Sequence, residues 1–377
     1  MIANAPDPVE LTRQLVRIDT TNPPGNEEAA LAPLAELLSA HGFEIAWHRF
    51  APGRANLVAS FPGREAGPFL GFTGHVDTVP IGETPWRHQP FEAREEGGRL
   101  FGRGSTDMKS GIAAIVCAAV DSARAGKLRR GVALILTAGE EHGCEGALRL
   151  CRDGFPVPPL AGLVVAEPTS NRLSLGHKGA LFLRVTARGV TAHSSMPHEG
   201  DNAIYRLAEA VLKVRDLTFD TEPHPVLGMP TKNVGLIAGG HAPNAVPDLA
   251  SMTMDIRSVP GQSHAGLVRD LTQHLGEGLS VEVVHDLDPV WTDQDNPLVD
   301  LCRAALSAAG SRVEEPIGMP FFTDASVLAP MTRAPVVIIG PGEATQAHKT
   351  DEWCRTEEIS RSRDIYLRLI ESFGIRG

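Results

Sequence analysis

Short apolar runs recur along this chain, and they constrain its fold more than any other feature. Leu57–Phe61, Phe69–Phe72, Val132–Leu136, Leu163–Ala166 and Val336–Ile339 each have the length of a strand and carry no alternation of polar residues. A strand that is apolar on both faces must be covered on both faces, which is the situation in a parallel sheet flanked by helices. Helix patterns stand between the runs. Pro8–Ile18 carries Val9, Leu11, Leu15 and Ile18, Glu27–Leu38 carries Leu31, Leu34, Leu37 and Leu38 before the stop at His41-Gly42, and Ser110–Ala125 is rich in Ala, Ile and Val. The combination predicts an α/β layer with a mostly parallel sheet.

From Gly179 the pattern changes to alternation. Leu181, Leu183, Val185 and Ala187 share one face, with Phe182, Arg184, Thr186 and Arg188 on the other. Asp201 reads as the cap of a helix to about Arg215, and strands follow near 233–238 and at Leu249–Arg257. Ser263 reads as the cap of a helix to about Leu275, and Leu279–Val284 closes the set. Strand-helix-strand-strand-helix-strand is the order of a ferredoxin-like α+β (βαββαβ) unit. The expected organisation is therefore one α/β domain, 1–177 and 289–377, with a second domain, 178–288, inserted in it. A length of 377 residues suits two domains.

Charge narrows the partners. Asp and Glu number 46 against 35 Lys and Arg, a formal net charge of −11, which offers no electrostatic footprint for nucleic acid or an anionic membrane. No apolar run approaches the ~20 residues of a membrane span. The opening residues lack a basic segment followed by an apolar one, and the five cysteines are odd in number with no C-x-x-C. A reducing, cytoplasmic setting is expected, without a disulfide framework or a thiolate zinc site.

Several chemistries can be dismissed on the residues. Gly102-Arg103-Gly104 begins a dinucleotide fingerprint, but Asp107 occupies the sixth position. Gly126-Lys127 is followed by Leu128, so there is no phosphate loop, and neither H-E-x-x-H nor G-x-S-x-G occurs. What remains is a pattern of placement. His75 and Asp77 follow the Phe69–Phe72 run, Asp107 precedes the Ala-rich helix, Glu140-Glu141 follow Val132–Leu136, Glu167 follows Leu163–Ala166, and His348 lies in the loop after Val336–Ile339. Ligands of open α/β sheets bind at the carboxyl ends of the strands. Adjacent carboxylates beside a buried strand would repel and desolvate one another without a cation between them. Imidazoles with carboxylates and no cysteine form a nitrogen and oxygen donor set, suited to zinc, cobalt or manganese.

Gly74-His75-Val76-Asp77-Thr78-Val79-Pro80, Gly102-Arg103-Gly104-Ser105-Thr106-Asp107-Met108-Lys109, Glu140-Glu141 and Glu167-Pro168 together resemble the M20 family of co-catalytic metallopeptidases. That family holds acetylornithine deacetylase, succinyl-diaminopimelate desuccinylase, aminoacylase and carboxypeptidase G2. The resemblance covers nearly the whole chain, inserted domain included. Gly176-His177-Lys178-Gly179 and Ala192-His193-Ser194-Ser195 look nearer the acetylornithine deacetylase side. The resemblance implies two divalent ions, zinc first with cobalt or manganese as alternatives. Asp107 would bridge them, His75 and Glu167 completing one site and Glu141 and His348 the other. Asp77 would steady His75, Glu140 would be the general base, and the Asp107-Met108 peptide would be cis.

The resemblance also implies roles within the inserted domain, as lid and dimerisation unit. His193 would stabilise the oxyanion, arriving from the partner subunit in dimeric relatives. On the residues alone it reads as a turn histidine. Arg257 would bind the substrate carboxylate, where pattern alone gives a solvated strand residue paired with Asp255. Asn244 and Thr323 would touch substrate. The implied activity is hydrolysis of the amide of an N-acyl-L-amino acid. The alternatives are a dipeptidase or carboxypeptidase of the same family, or a silent relative that binds or assembles, although every expected position is filled here. A homodimer acting on small molecules is the expected assembly.

Overall fold

The computed structural model describes residues 6–374, so the outermost ends of the expected limits, 1–5 and 375–377, lie outside the described residues. The chain divides into two compact units. One holds the chain up to Gly176 with Trp291–Ile317 and the residues from Thr323 on, and the other holds His177–Val290 with Gly318–Phe322. The Gly318–Phe322 segment falls outside the 178–288 limits expected for the insertion, yet it belongs to that unit. Within the unit, Lys178 N–H donates to the Met319 carbonyl at 3.0 Å, and the Phe322 ring lies 5.5 Å from the Arg257 guanidinium.

The first unit is built on a sheet whose strands include, in spatial order, Glu44–Ala51, Arg54–Phe61, Val132–Thr137, Phe69–His75, Leu160–Val165, Val336–Ile338 and Ser174–His177. Its centre is parallel. Phe69–His75 runs parallel to both Val132–Thr137 and Leu160–Val165, and Val336–Ile338 runs parallel to the latter. These four strands are buried almost throughout, as uninterrupted apolar runs require. Arg54–Phe61 and Glu44–Ala51 extend the sheet as an antiparallel flank. Because the central strands are parallel, their carboxyl ends, and the side chains that follow them, share one edge.

Helix Lys109–Ala125 is buried over most of its length. It packs in one apolar cluster with Leu11, Leu15, Leu31, Leu34, Ile365, Tyr366 and Leu369. Gly111 permits its close approach to the sheet, since a Cβ there would stand 2.3 Å from the Ala166 carbonyl oxygen. The buried Lys109 donates through Nζ to the Leu15 and Ile18 carbonyls at 3.0 and 2.7 Å, which ties the end of helix Pro8–Val16 to the start of this one. Burial pulls its ammonium down to about 7, against the pull of Asp19, Glu352 and Asp77.

In the second unit, strands Thr231–Gly239, Leu249–Arg257, Ala180–Arg188 and Leu279–Leu287 lie in that order and pair antiparallel throughout. Helices Ala203–Asp216 and His264–Leu275 connect them, which is the ferredoxin-like arrangement. Leu181, Leu183, Val185, Met252, Met254 and Ile256 form the core with Leu207, Val214 and Leu271. The cap of the first helix is Asn202, not Asp201. Asn202 Oδ1 accepts from the Ile204 and Tyr205 amides at 2.9 and 3.3 Å, while the Asp201 carboxylate pairs with Arg206. Ser263 caps the second helix, accepting from Gly266 N–H at 3.3 Å. Among the described residues no helix is long and apolar enough to cross a membrane.

Candidate metal centre

The expected ligands converge at the sheet edge of the first unit in two groups that share one residue. Asp107 Oδ1 lies 3.2 Å from His75 Nε2, which is itself 3.6 Å from Glu167 Oε1. Asp107 Oδ2 lies 3.4 Å from His348 Nε2, which is 2.9 Å from Glu141 Oε2. Donor atoms of each triad, His75–Asp107–Glu167 and Asp107–Glu141–His348, lie within 4.8 Å of one another. Metal–ligand bonds of about 2.0–2.2 Å place neighbouring donors of a tetrahedral ion roughly 3.3–3.6 Å apart. The donor set therefore fits divalent cations, with Asp107 common to both triads. The peptide after Asp107 is cis.

Asp77 is fully buried, and its carboxylate serves the backbone of the adjacent loop. Oδ1 accepts from Glu140 N–H at 3.1 Å, Oδ2 from Glu141 N–H at 3.3 Å and from Asn22 Nδ2 at 3.2 Å. The His75 Nδ1 contact is shorter to the Asp77 carbonyl, 3.0 Å, than to its Oδ1, 3.5 Å. Nδ1–H thus donates chiefly to the main chain, leaving Nε2 free to ligate. Gly139, at φ +70°, turns the chain out of strand Val132–Thr137 into the Glu140–His142 helical turn. Glu140 is buried, and no hydrogen bond to its carboxylate is found among the described residues.

Glu352, which the sequence does not single out, supports the centre from behind. Fully buried, it accepts through Oε1 from Thr106 and Asp107 N–H at 2.8 and 3.1 Å, and through Oε2 from Gly104 N–H at 3.1 Å and Arg103 Nη1 at 2.7 Å. One carboxylate thus shapes the loop that presents Asp107. Its only trace in sequence is that it follows His348 by four residues, as the second acid of Asp351-Glu352.

Charge is concentrated at this edge. Burial pushes the carboxyls of Glu140, Glu141 and Glu167 above their ordinary range, and their mutual repulsion adds to it. Hydrogen bonds to Asp107 and Glu141 hold the His348 imidazolium up to about 10. His75 is raised as well, its carboxylate neighbours overcoming burial. Without a cation these groups share protons instead, and ligation requires the imidazoles neutral. Zinc added to chelator-stripped protein at pH 7 is therefore expected to displace protons, with affinity rising as pH climbs toward about 10. Calorimetry in buffers of different ionisation heat measures this. Proton-neutral binding would contradict it.

The remaining expected residues are distributed as follows. In the second unit, His193 and Asn244 are exposed neighbours, with Ser194 N–H donating to the Asn244 carbonyl at 3.1 Å. Arg257 lies between the Phe182 and Phe322 rings, 5.6 and 5.5 Å from their centres. Its Nε donates to Asp255 Oδ2 at 3.0 Å, while its Nη1 is buried with no hydrogen-bond partner. Both readings of Arg257 thus have a counterpart, an ion pair on one edge and an unspent donor on the other. Thr323, in the first unit, is fully buried and its Oγ1 accepts from Ala325 N–H at 3.1 Å. A third acid–imidazole group, His264–Asp286–Asp288, lies in the second unit. Both ring nitrogens of His264 are engaged, by Ser258 Oγ at 2.6 Å and Asp286 Oδ1 at 2.5 Å, so it acts as a tie between strand and helix.

A parallel-sheet edge carrying two imidazole–carboxylate triads on a shared aspartate defines a metal-dependent hydrolase. Residues 71–372 match the sequence model of Peptidase family M20/M25/M40, and the chain belongs to that family. It is 32% identical to a probable succinyl-diaminopimelate desuccinylase of Staphylococcus epidermidis, over 97% of this chain and 98% of the relative. It is 31% identical to the acetylornithine deacetylase of Proteus mirabilis, over 97% and 96%. The crystal structure of an M20 family metallo-carboxypeptidase, Sso-CP2 from Sulfolobus solfataricus, superposes with a TM-score of 0.80 at 17% identity, covering 97% of this chain and 99% of that one. The chain is thus similar to both a desuccinylase and a deacetylase, at identities one percentage point apart.

Proposed function

We propose that this hydrolase cleaves the amide bond of N-acyl-L-amino acids at a pair of divalent ions held by His75, Asp107, Glu141, Glu167 and His348. The observation that carries the reading is the division of Asp107, one oxygen toward each imidazole. Ions so held supply Lewis acidity and a nucleophilic water near neutral pH. Glu140 stands beside the triads without being spent on either. Its carboxylate takes the proton of the attacking water and returns it to the leaving amine. Asp77 fixes the turn that aims it. His193 supports the oxyanion, and Arg257 offers its free edge to the substrate carboxylate, with the Phe182 and Phe322 rings close beside the guanidinium. Asn244 is a further candidate contact for the substrate, whereas the fully buried Thr323 is held by Ala325 N–H.

A panel of N-acetyl, N-succinyl and N-aroyl amino acids alongside simple dipeptides, run with and without chelator, tests the substrate class. Acylated amino acids are expected to turn over at least tenfold faster than dipeptides, and only without chelator. Faster dipeptide cleavage would replace the deacylase reading with a dipeptidase. Fewer than one transition metal per chain, with no activity restored by zinc or cobalt, would favour a silent relative.

We further propose a cytoplasmic homodimer formed through the inserted unit. Its Thr231–Gly239 strand lies at a sheet edge, and the register shift between Val234 and Leu236 leaves Leu236 and Ile237 70% and 62% exposed. An apolar edge of this kind invites pairing. Sedimentation is expected to show a dimer, and Leu236→Lys together with Ile237→Lys a monomer. A wild-type monomer of full activity would contradict a His193 supplied by the partner.

A further inference from the structure

A histidine can serve an oxyanion only if the nitrogen it presents carries a hydrogen, so the state of its other nitrogen decides its use. His193 is held in the second unit by main-chain contacts on both sides. It forms an isolated antiparallel bridge with Ala245, and its carbonyl accepts from Met196 N–H at 2.8 Å. Its ring folds back on Ser195. Nδ1 lies 3.1 Å from Ser195 N and 2.8 Å from Ser195 Oγ. A backbone N–H can only donate, so Nδ1 must present its lone pair. The hydroxyl can donate to the same lone pair. An imidazole whose Nδ1 accepts carries its hydrogen on Nε2, and no partner for that atom is found among the described residues.

We propose that Ser195 is a positioning residue that locks His193 in the Nε2–H tautomer, so that the atom offered to the reaction is a donor and never a base. The proposal rests on the reading of His193 as the oxyanion group and adds how its protonation is set. Proton abstraction at this position would need a bare Nε2, and that tautomer would set Nδ1–H against Ser195 N–H. The division of labour follows, with Glu140 moving protons and His193 only donating a hydrogen bond. His264 in the same unit shows the contrast, since both of its nitrogens are engaged and none is left to offer.

Neutron diffraction from crystals of the zinc-loaded protein reads the tautomer directly. A deuteron on Nε2 alone is the expected result. A deuteron on Nδ1, alone or with one on Nε2, would overturn the proposal. Kinetics on the zinc-loaded variants supply the second arm. Ser195→Ala is expected to lower kcat about three- to tenfold, the scale of one hydrogen bond, with KM within about twofold, and Ser195→Thr to recover most of the loss. Wild-type kcat in Ser195→Ala, or a matching rise in KM, would remove the positioning role. His193→Gln separates the two readings. If it leaves kcat unchanged while Nε2 carries the deuteron, the oxyanion role falls and the tautomer assignment stands.

Discussion

Replacing Glu140 with glutamine is expected to lower kcat by about 10²–10⁴-fold, the usual range for loss of general acid–base catalysis, while leaving the metal content of the protein unchanged. Glutamine preserves the volume and the hydrogen-bonding reach of the side chain but cannot accept a proton from water. The backbone amide of residue 140, which Asp77 holds at 3.1 Å, is untouched, so the turn should keep its shape. The environment suits a base. Burial, with Glu167 and Glu141 nearby, pushes the Glu140 carboxyl above its ordinary range, against the attraction of His75, and a base works best with proton affinity near the working pH. The measurements are steady-state kinetics and metal analysis on the same preparation. Retained activity would remove Glu140 as the base, and lost metal would make it a ligand.

The second large effect concerns stability. Glu352→Ala is expected to destabilise the protein by ~3–5 kcal/mol, the scale for removing one partner of a buried ion pair. Arg103 is 2% exposed and would keep a charge with no counter-ion at 2.7 Å. Three amides would lose their acceptor at the same time. Glu352→Gln should fall between the two, since it retains an acceptor oxygen but not the charge. Denaturant unfolding of chelator-treated samples is the proper measurement, because bound metal would otherwise add its own linkage to the apparent stability. A loss below about 1 kcal/mol would mean that water replaces the carboxylate in the loop. The same variant should bind metal more weakly, since an outer partner of this kind contributes roughly 10–100-fold in affinity.

The parts of this molecule that could be read from sequence are those where residue type and placement follow from burial. The central strands announce themselves because both of their faces are covered, and His75, Glu141 and Glu167 stand out by their place at or just after the ends of those strands. The antiparallel flank, Glu44–Ala51, was missed because its pattern is mixed, with exposure varying along the strand. Sequence places the helix cap at Asp201, one residue before the actual cap Asn202, because Asp and Asn are equally good caps and only backbone position separates them. Asp77 lies within 3.5 Å of His75 Nδ1 through its carboxylate, and the same carboxylate also holds two amides from a loop 63 and 64 residues away, which the sequence does not announce. Glu352 eluded the sequence for the same reason, its partners being 245–249 residues distant. A carboxylate that binds main chain leaves no sequence pattern, since the amides it holds belong to any residue.

The clasp between Glu352 and the Asp107 loop also orders events during biosynthesis. His75 and Asp107 are made early, whereas His348 and Glu352 come near the end of a 377-residue chain. Until His348 and Glu352 have been made, only the His75–Asp107–Glu167 triad has all its members, on an aspartate whose loop is not yet clamped. The second triad waits for His348. Losing the segment that carries His348 and Glu352 would thus take one donor from the second triad and, with it, the acceptor of three amides in the Asp107 loop.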